Sequence, residues 1–383
     1  SFKILHEQLE SISYQENQIS QASAGRAMAQ DDEAAGTLWV QITNLSGQMV
    51  VENKAFLGSM NIKTLKQMLQ SVCHVSFFRQ KLLLDGRVLR DNDILAVVAS
   101  GAPRPLPLTL VVQSLSPELG NRLLEAAHRC DAFIVENFLK RSADPNCANQ
   151  GRYTPLYMAS ERGGAEVISL LIEAGSKLSW ALSNGMAAQH IAAQNGHVAV
   201  VKQLLEARAD LEQATETGFT ALYLSSMNGH RDVVQYLCEA RANTEAASER
   251  GTSLNIASSN GHLEVVLLLS EAKADLHDEN QKNMPSALHM ASMKGHVDIV
   301  RFLVESGLDP SLPSVDGATP LHLAAMMGKL QVVQWLCEAG AEKDKRMHSG
   351  PTAWQLANHN GHVQVACYLQ RVGSEVTWHW RLL

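Results

Sequence analysis

Residues 319–345 read TPLHLAAMMGKLQVVQWLCEAGAEKDK, one complete helix–turn–helix unit. Thr319 can cap a helix through its hydroxyl. Pro320 takes the first helical position, where a missing N–H costs nothing. Leu321, Leu323, Ala324 and Ala325 follow at helical spacing, and the two alanines let helices approach closely. Gly328 allows a turn, and a second apolar helix around 332–337 is expected to stop at Gly340. Such a unit cannot bury its apolar faces alone, so recurrence is the first question.

The position of Thr319 is matched at Asn121, Thr154, Ala187, Thr220, Thr252, Ser286 and Thr352. In chain order the spacings are 33, 33, 33, 32, 34, 33 and 33 residues. The first helix reads TPLYMAS, AAQHIAA, TALYLSS, TSLNIAS, SALHMAS, TPLHLAA and TAWQLAN in successive copies. The second part reads NGHVAVVKQLL, NGHRDVVQYLC, NGHLEVVLLLS, KGHVDIVRFLV and NGHVQVACYLQ. This pattern resembles the ankyrin repeat family, with its T-P-L-H-x-A-A stretch, G-H turn and leucine-rich second helix. Eight copies cover about two-thirds of the chain and start near 118, 151, 184, 217, 249, 283, 316 and 349. The first copy (NRLLEAAHRCD) departs most from the motif, as a terminal cap does.

The resemblance implies a mainly α solenoid that binds proteins through its fingertips and the two residues after the Ala-Ala pair. Those pairs are polar in the early copies, whereas copies four to seven carry Met227, Met293-Lys294 and Met326-Met327. Met186 and Phe219 precede capping positions, and Trp180 stands at a finger position that is normally small or polar. These residues are the expected partner-binding surface, because methionine suits surfaces that adapt to a partner. The same methionines could instead cover their neighbours' side chains.

Residues 37–114 form a different, small α+β module. Leu38, Val40 and Ile42 alternate with Trp39, Gln41 and Thr43 as a half-buried strand. A second strand starts at 49–51. Ile62, Leu65 and Leu69 share a helical face, and QKLLLDG and LTLVVQ supply two further strands. The order, with RQKLLLDGRVL, resembles the ubiquitin-like β-grasp family, although Glu52 and Lys54 stand where apolar residues are expected. Carried over residue by residue, that family's receptor-binding apolar patch falls on Leu45, Leu83 and Val111. The same three residues could pack within the chain instead. The module runs on into the repeats without a Gly-Gly end, so conjugation is not implied.

Residues 1–36 divide into a short amphipathic helix (Phe2, Leu5, Leu9, Ile12) and a linker rich in Ala, Ser and Gly. At the other end, Trp378, Trp380, Leu382 and Leu383 either close the solenoid or anchor a neighbour.

The net charge is −7: residues 1–36 carry −4 (2 basic, 6 acidic), 37–116 carry +4 (8 basic, 4 acidic) and 117–383 carry −7 (22 basic, 29 acidic). An acidic repeat region argues against nucleic acid as partner. No apolar run approaches the roughly 18–20 residues of a membrane span. Six cysteines without paired spacing fit a reducing compartment such as the cytoplasm.

Of fifteen histidines, most sit in the G-H turns or at the fourth motif position, where the resemblance implies structural use. His348, His359, His362 and Cys367 lie close in sequence without zinc-type spacing. No phosphate loop, nucleophile elbow or H-E-x-x-H is present, so no catalytic, cofactor or metal site is expected. The expected function is a non-enzymatic scaffold or adaptor with protein partners. A ubiquitin-pathway adaptor and a subunit of a larger complex are the alternatives.

Overall fold

A computed structural model describes residues 37–100, 102, 105–276, 285–348 and 350–379. The readings for residues 1–36 and for the apolar side chains of 378–383 fall outside what it describes. The chain divides into two compact units, Ser1–Ser114 and Leu115–Leu383.

The first unit is a five-stranded mixed sheet over a helix. Strand β1 (Thr37–Asn44) pairs antiparallel with β2 (Met49–Leu57) and parallel with β5 (Leu106–Val112). Strand β3 (Gln80–Leu84) pairs antiparallel with β5 and with the short β4 (Arg87–Val88), giving the order β2-β1-β5-β3-β4. Asn44 makes the first turn, its side-chain oxygen accepting from the backbone N–H of Ser46 at 3.0 Å and Gln48 at 2.9 Å. Helix α1 (Ile62–Cys73) starts where the Asn61 side chain accepts from the Thr64 N–H at 2.8 Å. Its Ile62, Leu65 and Leu69 are buried with Val40, Ile42, Leu82, Leu106, Leu108 and Leu110.

The irregular phase of β2 has a cause. Val40 faces Lys54, Ile42 faces Val51 and Thr43 faces Met49, so the register slips twice along β1. Side chains alternate along an unbroken strand, so Val51 and Phe56, five residues apart, would then point to opposite faces. The added residue of a bulge between Val51 and Lys54 restores both to the core; Glu52 is exposed, and so is Lys54, although it stands opposite Val40.

Among the described residues of this unit one charge is buried. The Lys66 ammonium, on a side chain 8% exposed, lies 2.6 Å from the Asp91 carboxylate, itself one-third exposed. Replacing Asp91 with Ala leaves that cation without its partner. We expect a loss of about 1–2 kcal/mol, less than for a fully enclosed pair, read as faster hydrogen exchange of the β1–β5 amides.

The second unit is a stack of eight helix pairs. The inner helices are Gly120–His128, Pro155–Arg162, Ala188–Gln194, Ala221–Met227, Ser253–Asn260, Ala287–Lys294, Pro320–Met326 and Ala353–His359. Each packs on the next inner helix and on its own outer helix. Thr154, Thr220, Thr252, Thr319 and Thr352 each cap an inner helix through the hydroxyl. Ser286 gives its hydroxyl to the His289 ring instead, at 2.7 Å. The first pair differs from the sequence reading: its inner helix begins at Gly120, one residue before Asn121, because a 3-10 turn at Pro117–Leu119 runs straight into it. Alanines such as Ala192, Ala193, Ala324 and Ala325 are fully buried between inner helices. In copies two to seven the outer helix buries one pair of β-branched residues and a leucine, for example Val233, Val234 and Leu237.

Candidate functional site

Two sets of histidines hold the stack in register. In five G-H turns the imidazole Nε2 faces a carbonyl of the preceding copy: His197 on Glu161 at 3.0 Å, His230 on Gln194 at 2.8 Å, His262 on Met227 at 3.0 Å, His296 on Ser259 at 3.0 Å and His362 on Met326 at 3.0 Å. A carbonyl only accepts, so Nε2 carries the proton. Asn195 and Asn260 add side-chain donors to the Glu161 and Met227 carbonyls, at 2.9 and 2.7 Å. The variable positions at the ends of the inner helices are thus pinned through their backbone; Glu161, Gln194, Met227 and Met326 are half-buried and Ser259 is buried.

The second set is buried. His190 accepts from the Ala187 N–H at Nδ1, at 2.9 Å, and its Nε2–H donates to the Gln213 carbonyl at 2.7 Å. His289 donates to the Leu312 and Ala318 carbonyls at 3.0 and 3.1 Å, and His322 accepts from the Thr319 N–H at 3.1 Å. Burial holds all three below the ordinary imidazole range, so each is neutral at pH 7. Burial likewise pushes thiols up, Cys147 to about 12 and Cys238 and Cys337 to about 11, which keeps them protonated and poor as nucleophiles. Among the described residues no three His, Cys, Asp or Glu side chains converge as metal ligands.

A cleft lies between the third and fourth copies. Met186 and Asn184 come from one finger, Phe219 and Glu216 from the next, and Gln194 and Met227 from the ends of two inner helices. Leu224, 3% exposed, lies in its floor. The cavity volume is about 340 Å³. The Phe219 ring stacks on Tyr223 with centroids 4.6 Å apart and planes within 2°, so this wall is fixed in advance.

Of the residues singled out from sequence, the fold brings Met186, Phe219 and Met227 together here. Met293, Lys294, Met326 and Met327 occupy the same motif positions farther along. Met293 and Met326 are half-buried, while Lys294 and Met327 are exposed. Trp180 is engaged within the chain: its indole N–H donates to the Arg152 carbonyl at 3.1 Å, and the Arg152 guanidinium lies 5.7 Å from the ring centre. Sequence reasoning passed over Leu224, Gln194 and Asn184. The available signal for Leu224 was the fifth motif position, apolar in every copy from the second on: Met158, Ile191, Leu224, Ile256, Met290, Leu323 and Leu356.

In the sheet unit, Leu82, Leu108 and Leu110 point into the core, which turns Leu83 and Val111 to the opposite face. Leu83 pairs with Thr109, and Val111 with Lys81, one step along the same two strands. Leu45, 74% exposed, follows directly on the Asn44–Leu110 pair. Leu83 and Val111, both half-buried, therefore share the face opposite the core, and Leu45 stands in the turn at the same end of the sheet.

A family model described as Ankyrin repeats (3 copies) matches residues 123–215, 190–280, 254–347 and 288–377. The chain belongs to the ankyrin repeat family. Ankyrin repeats are a protein–protein interaction module, and the family is in general a non-catalytic binding scaffold. A comparison with curated proteins returns no match. Among the described residues no helix is long and apolar enough to cross a membrane.

Proposed function

We propose that this chain is a non-enzymatic scaffold or adaptor that binds a protein segment along the concave groove of its ankyrin repeats. The cleft at Met186, Phe219 and Met227 carries the reading: an apolar, pre-stacked hollow at positions that the repeat architecture leaves free. Met293, Met326 and Met327 continue that surface. The acidic balance of the repeat region favours a protein over a nucleic acid as partner. Six free cysteines favour a reducing compartment such as the cytoplasm.

The division into a linker at 1–36, a ubiquitin-like module at 37–114 and a repeat domain at 117–383 belongs to the same proposal. The strand order and the common face of Leu83 and Val111, with Leu45 in the turn at the same end, favour a second reading, a ubiquitin-pathway adaptor whose sheet unit engages a receptor.

Cross-linking in native extract with mass spectrometry identifies the partner, and variants then test the surface. Glu in place of Met293, Met326 and Met327 should weaken capture by about tenfold or more, because a carboxylate desolvated against apolar surface is costly. Unchanged capture would sink the groove reading. Leu83→Ala should abolish binding to ubiquitin-receptor domains if the sheet unit acts as a ubiquitin mimic, and should leave groove capture intact.

A further inference from the structure

The cleft between the third and fourth repeats offers more than apolar surface. The side-chain amide of Gln194 has no hydrogen-bond partner, and the exposed carboxylate of Glu216 has no cationic partner, among the described residues. They flank the apolar wall of Met186, Phe219, Leu224 and Met227. Among the described residues that line the cleft, Glu216 is the one that is charged.

We propose that this cleft is a specificity pocket for an extended peptide segment carrying a bulky apolar side chain next to a Lys or Arg. The inference rests on the groove reading above and names what the groove selects. Three features fix the ligand chemistry. The volume of about 340 Å³ lies at the small end of ligand pockets, roughly 300–1,000 Å³, and takes a large side chain with part of its neighbour. An unpaired primary amide offers both a donor and an acceptor, which match the free C=O and N–H of an extended backbone. A helix has already paired its own backbone groups and cannot use Gln194 in this way. Finally, the lone carboxylate at the edge of an apolar, partly desolvated hollow favours a cation and disfavours an anion.

The test is a selection of phage-displayed random linear peptides on the full chain, followed by affinity measurements on synthetic winners. The expected winners place Trp, Phe, Leu or Met beside Lys or Arg. Met227→Glu should weaken them by at least ~10-fold. Glu216→Lys should invert the selection toward Asp or Glu beside the apolar residue. Circular dichroism shows whether each variant keeps its helices, and Gln194→Ala provides a milder second lesion that should also weaken binding. Winners that depend on Met293, Met326 and Met327 but ignore Met227→Glu and Glu216→Lys overturn the pocket and leave the groove reading standing. If no peptide depends on either set, both are overturned.

Discussion

Acidification below about pH 6.5 is expected to destabilise the repeat unit, and a triple variant, His190→Gln, His289→Gln and His322→Gln, is expected to flatten that dependence. Each of the three imidazoles is buried and has its folded-state affinity for protons lowered, chiefly by desolvation. Between the depressed folded values and the ordinary 6.5, the unfolded chain binds protons that the folded chain does not. Stability therefore rises with pH in this window. It is complete above 6.5 and lost as pH falls toward the folded values. Each such group contributes a slope of up to about 1.4 kcal/mol per pH unit, so the three together reach about 4. The geometry agrees, since the Nδ1 of His190 and of His322 accepts a backbone N–H and a proton there would face a donor. The Asp316 carboxylate opposes the trend at His289 and His322 by favouring the cation, which softens their share. The last copy shows why Gln is the right control. Gln355 Oε1 accepts the Thr352 N–H at 2.8 Å, as His190 Nδ1 accepts the Ala187 N–H, and it does not titrate. Urea unfolding at a series of pH values reads the slopes directly. A triple variant as pH-sensitive as the parent would show that these imidazoles are not the cause.

The same histidines illustrate what a repeating sequence reveals. A motif that recurs at 32–34-residue spacing exposes its structural positions by repetition, so the helix pairs and the roles of the turn residues could be read in advance. Positions that vary between copies are not accounted for by the repeat itself, and this brought Met186, Phe219 and Met227, which line one cleft, into view. Repetition hid Leu224, because an apolar residue at every fifth motif position looks like core, yet here it floors the cleft. Repetition was silent in the sheet unit, where two register slips shift the phase of β2 and disguise the inward turn of Val51 and Phe56. Trp180 looked free because its partner, the Arg152 carbonyl, belongs to a different finger 28 residues away. A backbone carbonyl leaves no signature in sequence.

Backbone strain was equally invisible, and it leads to a gain in stability. The second residue beyond the outer helix is glycine in three copies, with φ of 87° at Gly175, 105° at Gly307 and 90° at Gly340. In three consecutive copies between them a cation takes the same left-handed conformation, with φ of 70° at Arg208, 65° at Arg241 and 66° at Lys273. A Cβ at the three glycines would meet nothing within 4 Å, so the position is spacious and the penalty lies in the backbone alone. A non-glycine residue in this region costs roughly 1–3 kcal/mol. Against that stand the favourable placement of a cation at a helix C-terminus, about 0.3–1 kcal/mol, and the extra freedom that glycine gives the unfolded chain, about 0.5–1 kcal/mol. The balance favours glycine by about 0.6 kcal/mol at each site. The sites lie one repeat apart and share no partner, so Arg208→Gly, Arg241→Gly and Lys273→Gly together should stabilise the repeat unit by about 2 kcal/mol. Thermal unfolding should shift upward by roughly 4–8 °C. The alanine series separates strain from charge: alanine removes the cation but keeps the strained φ, so Arg208→Ala, Arg241→Ala and Lys273→Ala should bring no gain. Equal stabilisation by alanine and glycine would place the penalty in charge repulsion and reject backbone strain as its source.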